Sequence, residues 1–252
     1  MSEDTPNSSS LDNKSSNPNL DGDQDNTKQT SKKKTLIEIF LEKLKTVPQK
    51  GEQTLGKLVR IIGPMFGGKS TELLGRLTRA HDVNLKVAYI NHSDDIRVTK
   101  VFTENITTHS SGFKFLPKGV DQFKLKKLTP FNPKPYDLIG IDEAHFFEDL
   151  EPVVRRWKMD LGKHIIIVSL SGDFENNVFG GSYLLEPITD EVVIKKAYCK
   201  ICLEERKTLV DASYSSRLAS NTEQKLVGGE ECYIPTCLSC WKRIEEVKPT
   251  KT

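Results

Sequence analysis

The chain is short of several things, and each shortage removes a class of protein. Among its 252 residues are five cysteines, three methionines and two tryptophans, and aromatics make up 8%. No stretch approaches the roughly 20 apolar residues that a bilayer span needs, so no membrane segment is expected. The opening MSEDTPNSSS lacks a basic region followed by an apolar one, which argues against a secretory leader, and its acidity argues against a mitochondrial one. The expected location is cytoplasmic. Charge of one sign is also missing: 37 basic against 35 acidic residues leave a net +2. That balance offers no long nucleic-acid track. The odd cysteine count suits a reducing compartment better than a disulfide framework.

Hydrophobic content of 36% still allows a proper core. Residues 1–31 are rich in Ser, Asn and Asp and hold no aromatic residue. They cannot bury enough apolar surface to offset the entropy of ordering, so disorder is expected. Lys32-Lys33-Lys34 reads as a solvated basic run. Leu36, Ile37, Phe40, Leu41 and Leu44 then recur at helical spacing, which predicts a short amphipathic helix over about 35–45. Pro48 and Gly51 separate it from a body starting near Leu55. The expected organisation is a tail (1–50), an α/β domain (55–196), a cysteine-bearing domain (197–242) and a flexible end (243–252).

The body is organised around KLVRIIGPMFGGKSTELLGRLTRA, Lys57 to Ala80. Leu58 to Ile62 reads as a buried strand. Gly63-Pro64-Met65-Phe66-Gly67-Gly68-Lys69-Ser70 fits G-x-x-x-x-G-K-[ST], and Thr71 follows. Leu73, Leu74 and Leu77 then mark a helix. Strand, glycine loop and helix together specify a phosphate-binding loop. A helix start leaves N–H groups without partners and its dipole favours an anion. Lys69 would reach the terminal phosphates of a nucleotide and Ser70 its magnesium ion.

Further strands are predicted at Leu85–Ile90, Tyr136–Ile141, His164–Leu170 and Glu191–Lys195, with a helix over 119–127 and another opening at Phe146 and Phe147 and closing at Gly162. Alternating strands and helices give an α/β fold with a mainly parallel sheet. The strand ending at Ile141 runs into Asp142-Glu143. Asp142 can hold magnesium, and Glu143 can accept a proton from an attacking oxygen. Arg97 and Arg217 are long cations able to neutralise charge on a transferred phosphoryl group. Phe146 and Phe174 follow polar strand ends, where an aromatic can stack on a flat ring. Cys199-Lys-Ile-Cys202 and Cys237-Leu-Ser-Cys240 match a tetrahedral zinc site. An ion there would anchor the base of the intervening segment and leave its middle to act as a lid. Cys232 is the spare thiol.

GPMFGGKSTELL, IDEAHFFEDL, the SGDF loop, the two C-x-x-C pairs and KLVGGEECY occur in this order between residues 57 and 241. In these motifs the chain resembles the type II thymidine kinases. That resemblance implies a P-loop, RecA-like parallel sheet with a zinc-bound lasso. It implies transfer of the γ-phosphoryl of ATP to the 5′-hydroxyl of thymidine with magnesium. It also implies a homotetramer and feedback inhibition by dTTP. The family's general base falls on Glu143, and its D-x-R element on Asp95 and Arg97. Met65, Phe146, Leu170 and Phe174 fall on positions enclosing the base, Ser215 on that of the usual threonine, and Tyr233 on the lasso tyrosine. The backbone of Leu226, Val227 and Gly228 would pair with the polar edge of thymine. Departures are Gly67 for serine, His145 for glutamine, Ser171 for aspartate and Glu175-Asn176 for Gln-Arg. Ser215 lacks a methyl group, which widens the base pocket.

Two other functions fit parts of the pattern. A P-loop ATPase would use Glu143 to activate water, and would need an output partner. A weak nucleotide-binding regulatory protein would not need Lys69, Ser70, Arg97, Asp142 and Glu143 together. The motif set favours the kinase.

Overall fold

The computed structural model describes residues 34–46, 55–95, 116, 119–218 and 223–248. The expectations for residues 1–31 and Arg97 lie outside that set. The chain divides into two units, 1–50 and 51–252.

In the first unit, helix α1 spans Leu36–Thr46. Its start is set by Thr35 and Glu38. The Glu38 N–H donates to Thr35 Oγ1 (3.3 Å) and the Thr35 N–H donates to the Glu38 carboxylate (2.8 Å). This reciprocal capping satisfies two donors that a helix start otherwise leaves open. The predicted apolar side, Leu36, Ile37, Phe40, Leu41 and Leu44, is exposed.

The second unit is built on six parallel strands: β1 (Leu58–Gly63), β2 (Val87–His92), β3 (Asp121–Leu125), β4 (Leu138–Ile141), β5 (His164–Leu170) and β6 (Glu191–Ile194), ordered β3-β2-β4-β5-β1-β6. Helix α2 (Lys69–Asp82) covers one face and α3 (Leu150–Met159) the other. Alternation decides which side chain goes where. Val59, Ile61, Ile166 and Val168 pack on Leu73, Leu74 and Leu77 of α2. Leu58, Ile165 and Ile167 pack with Leu150, Val154 and Trp157 of α3. With both faces covered, β5 is almost wholly apolar. Each such side chain contributes about 1.5–3 kcal/mol on full burial.

Two expectations are corrected. Residues 121–125 form an edge strand, not a helix, paired with β2 from Ala88↔Asp121 to His92↔Leu125. Phe123 and Leu125 turn toward the core while Gln122 and Lys124 face outward. That alternation serves a sheet and would scatter apolar groups around a helix. The helix expected from Phe146 begins at Leu150. Ala144–Phe146 is a single 3-10 turn, and Phe147 is extended. The Asp149 carboxylate accepts the N–H groups of Leu128 (3.1 Å) and Thr129 (2.7 Å), tying the start of α3 to a neighbouring loop.

Beyond the sheet come β7 (Ala197–Tyr198), α4 (Lys200–Arg206), β8 (Asp211–Ala212), β9 (Tyr214–Arg217), β10 (Tyr233–Thr236) and α5 (Leu238–Val247). β9 and β10 pair antiparallel, with Ser215 opposite Pro235 and Arg217 opposite Tyr233. α5 stays helical to Val247, inside the segment expected as a tail from residue 243.

Candidate active site

Parallel strands end on one edge, and the chemistry-bearing residues gather there. β1 stops at Gly63, which is opposite Leu170 at the end of β5. β4 stops at Ile141, beside Ile90 of β2 and Ile167 of β5. The P-loop, Asp142-Glu143, Leu170 and the turn after His92 therefore share the carboxyl edge of the sheet, where ligands of open α/β sheets bind.

Gly68, at φ +71°, turns the loop into α2, and no side chain caps that helix. Its N-terminus is thus suited to an anion. Lys69 is buried and folds back so that Nζ donates to Pro64 O at 2.7 Å. Ser70 Oγ donates to Asp142 Oδ1 at 3.1 Å, and Glu143 N–H donates to the same oxygen at 3.0 Å. Tyr89 OH donates to Asp142 Oδ2 at 3.1 Å. Burial first, then the Asp142 charge, pushes the Tyr89 phenol well above its ordinary pKa, so it remains a donor. Neighbouring oxygens around an octahedral magnesium ion are about 2.9 Å apart, from bond lengths near 2.05 Å. The Ser70 and Asp142 oxygens match that spacing. Glu143 sits at φ +50°, a left-handed conformation that is uncommon for a residue with a Cβ.

A second group comes from three distant segments. Met65, Phe174 and Tyr233 pack together, with Leu170, Leu226 and Cys232 against them. The Met65 N–H donates to Ser215 Oγ at 2.9 Å, which fixes β9 to the P-loop. Tyr233 OH donates to Leu226 O at 2.8 Å. Arg217 belongs to the wall of this group. It is buried, with its guanidinium over the Phe174 ring and donating to Tyr233 OH (2.7 and 3.1 Å), Gln224 O (3.0 Å) and Glu223 O. Gln224 Nε2 donates to Asp173 Oδ2 at 2.7 Å, and Asp173 Oδ1 accepts the N–H groups of Glu175 and Asn177. Trp241 of α5 holds the Phe174 carbonyl at 3.2 Å. Val227 is partly buried and Gly228 buried. A Cβ on Gly228 would stand 2.5 Å from Cys232 Sγ, so the spare thiol packs on that backbone.

Phe146 lies in an adjoining aromatic group with His92, His145 and Phe179. Lys225 stands over its ring and pairs with Asp94 after β2, which ties the loop before β10 to the sheet edge. Asp95 is buried, where Asn91 Nδ2 donates to its carboxylate at 3.3 Å.

Cys199, Cys202, Cys237 and Cys240 offer four sulfurs within 4.8 Å of one another, with Cys202 3.6 Å from Cys240 and 3.8 Å from Cys237. Sulfurs around one tetrahedral zinc lie about 3.8 Å apart, given a Zn–S bond near 2.3 Å. The donor set therefore fits zinc. Arg206 donates to Cys202 Sγ at 2.7 Å. Burial works against ionising Cys199, but hydrogen bonds from backbone N–H groups and the nearby thiols bring it down to about 7. Burial and those same neighbours push Cys240 up. A bound divalent cation would offset what burial costs the ionisation of Cys202 and Cys240.

The sequence model of the thymidine kinase family matches residues 56–241. The thymidine kinase of vaccinia virus (strain Ankara) is 34% identical over 187 residues, 74% of this chain and 97% of that protein. That of monkeypox virus is 34% identical over 188 residues, and that of fowlpox virus (strain NVSL) 33% over 187, with the same coverage. The chain belongs to the thymidine kinase family.

Within this thymidine kinase fold, the site draws on residues that local reading passed over. Tyr89 sits inside an apolar strand and carries no motif. Gln224, Lys225 and Trp241 act through partners remote in the chain. Asp173 had a local signal, since Asp two residues before further polar groups commonly folds a loop onto its own carboxylate. Among the described residues no helix is long and apolar enough to cross a membrane.

Proposed function

We propose that this protein carries out its family's reaction, transferring the γ-phosphoryl of ATP to the 5′-hydroxyl of thymidine to form dTMP for pyrimidine nucleotide salvage. Deoxyuridine is a weaker substrate. The observation that carries the reading is the meeting at Met65 of a phosphate loop and an aromatic pocket. Met65 belongs to the P-loop, packs on Phe174 and Tyr233, and is bonded to Ser215.

The backbone of Gly63–Thr71 cradles the phosphates, and Lys69 swings from Pro64 O onto the terminal ones. Ser70 and Asp142 would hold magnesium, with Asp95 beside them. The metal, when bound, supplies positive charge at the phosphoryl oxygens. Phe146, Leu170, Phe174 and Tyr233 enclose the base, and the backbone of Leu226–Gly228 reads its polar edge. Glu143 takes the proton from the 5′ oxygen as that oxygen attacks phosphorus. Arg97 neutralises charge on the transferred group. Closing the segment around Tyr233 excludes water, so the sugar hydroxyl is the acceptor. Zinc on the four cysteines is structural. Assembly as a homotetramer and inhibition by dTTP complete the reading.

The test is ATP consumption by purified protein with and without thymidine, with the nucleoside product resolved chromatographically. Thymidine-dependent ADP formation with stoichiometric dTMP is expected. Equal hydrolysis in the absence of any nucleoside would overturn it.

A further inference from the structure

His145 stands two residues beyond Glu143, buried in the single 3-10 turn after β4. Its two ring nitrogens face different elements. The Leu170 N–H, at the end of β5, donates to Nδ1 at 3.4 Å. A nitrogen that accepts carries no proton, so in the neutral ring the proton sits on Nε2. Nε2 lies 3.4 Å from Glu143 Oε2. That approach is an electrostatic contact rather than an aligned hydrogen bond. Catalytic hydrogen bonds commonly tighten only once substrate is in place.

The ring cannot turn away easily. Phe146 packs on it at 4.3 Å and Phe179 at 4.8 Å, centroid to centroid. From behind, Gly180 presses on the His145 backbone. A Cβ on Gly180 would stand 2.3 Å from His145 O, and its φ of +71° also favours glycine. The glycine loop after β5 therefore seats the imidazole.

We infer that His145 is a positioning residue: it bridges the Leu170 backbone to Glu143 and holds the carboxylate in its attacking geometry. The bridge has a defined polarity: it accepts from β5 and, once bound substrate tightens the contact, donates to Glu143. It steers the Oε2 side of the Glu143 carboxylate. Glu143 starts from a left-handed backbone in a one-turn connection, so its side chain needs such a support. This rests on Glu143 being the general base, and the experiment separates the two claims.

The variants are His145→Phe, His145→Gln, Glu143→Gln and the double variant His145→Phe/Glu143→Gln, each in the full chain. Phe keeps the ring packing and loses the bridge. Its kcat should fall on the order of 10- to 100-fold, as small misplacements of a reacting group do, with KM for ATP and thymidine little changed. Gln can accept from Leu170 through Oε1 and donate to Glu143 through Nε2, so it should restore most of kcat. In the Glu143→Gln background, His145→Phe should cost nothing more. Should the Phe variant fail to fold, His145→Asn takes its place, because its shorter amide cannot span both partners. A wild-type kcat in the Phe or Asn variant, or a Gln variant as slow as Phe, would overturn the inference. A wild-type kcat in Glu143→Gln would instead overturn the general-base assignment.

Discussion

The guanidinium carbon of Arg217 lies 3.7 Å from the centroid of the Phe174 ring, and Tyr233 OH accepts from the same guanidinium. One buried cation thus joins β9, β10 and the loop after β5. The charge is engaged by a π face, a hydroxyl and the Glu223 and Gln224 carbonyls. These contacts fasten the pocket wall. Arg217→Ala would remove this donor from those carbonyls and the cation from the Phe174 face, which unfastens the exposed Glu223–Gln224 backbone from the pocket. The expected outcome is a lower melting temperature and a raised KM for thymidine, with KM for ATP nearly unchanged. Arg217→Lys keeps the charge but not the planar fork, and should fall between. Thermal melts and steady-state kinetics on the three proteins check this.

Glu143→Gln should keep ATP binding and lose roughly 10²- to 10⁴-fold in kcat, the usual span for loss of a general base. Isothermal titration with a non-hydrolysable ATP analogue, beside turnover measurements, reads both halves. A weakened nucleotide affinity with kcat preserved would place Glu143 in binding rather than proton transfer.

One zinc per chain is expected by elemental analysis, and Cys237→Ser should lose it. Cys237 immediately precedes α5, whose Trp241 holds the Phe174 carbonyl. Removing the metal should therefore raise KM for thymidine as well as lower the melting temperature. Cys232→Ser should retain the full metal content, since its sulfur packs on Gly228 outside the four-sulfur cluster.

His92 gives the fold a pH dependence. Burial is the main cause lowering its pKa below the ordinary 6.5, opposed in part by Asp94. The ring accepts the Asp94 N–H at Nδ1 (3.1 Å), lies 3.2 Å from Lys126 O at Nε2, and packs edge-on to Phe147. A depressed histidine pKa means that the unfolded chain takes up the proton first as pH falls. The stabilisation is therefore present above about 6.5 and drains away as pH drops toward the lower folded value. Melting temperature followed from pH 8 to 5 should fall more steeply for the wild type than for His92→Gln. Parallel curves would remove His92 as the cause.

The chemistry that sits in consecutive residues was legible before any fold was known. A loop that wraps phosphates must be a continuous run of backbone followed by a helix start, so Gly63–Ser70 declares itself. Asp142-Glu143 does so because a buried strand must end where charge begins. C-x-x-C places two sulfurs of a pair on one ion within a single turn of chain. Spacing likewise identifies the apolar face of α1 and the five apolar residues that fill β5. The edge strand β3 was legible in principle, since Phe123 and Leu125 alternate with lysines, but a short alternating run among prolines also admits a helix.

What sequence spacing could not reach is whatever needs two remote segments to meet. Met65, Phe174 and Tyr233 are far apart in the chain and touch only because β1 and β5 are neighbours and β10 folds back over their ends. Arg217 reads alone as a cation for phosphates. Only the fold reveals the aromatic face and the two carbonyls that hold it. Tyr89 becomes a partner of Asp142 because β2 lies beside β4. His145 comes to support Glu143 because β5, which ends at Leu170, lies beside β4. Local motifs are set by chain stereochemistry within a turn or two of backbone. Pocket walls, buried charges and the partners that orient a carboxylate are set by strand order, which the core chooses by burying both faces of the sheet at once.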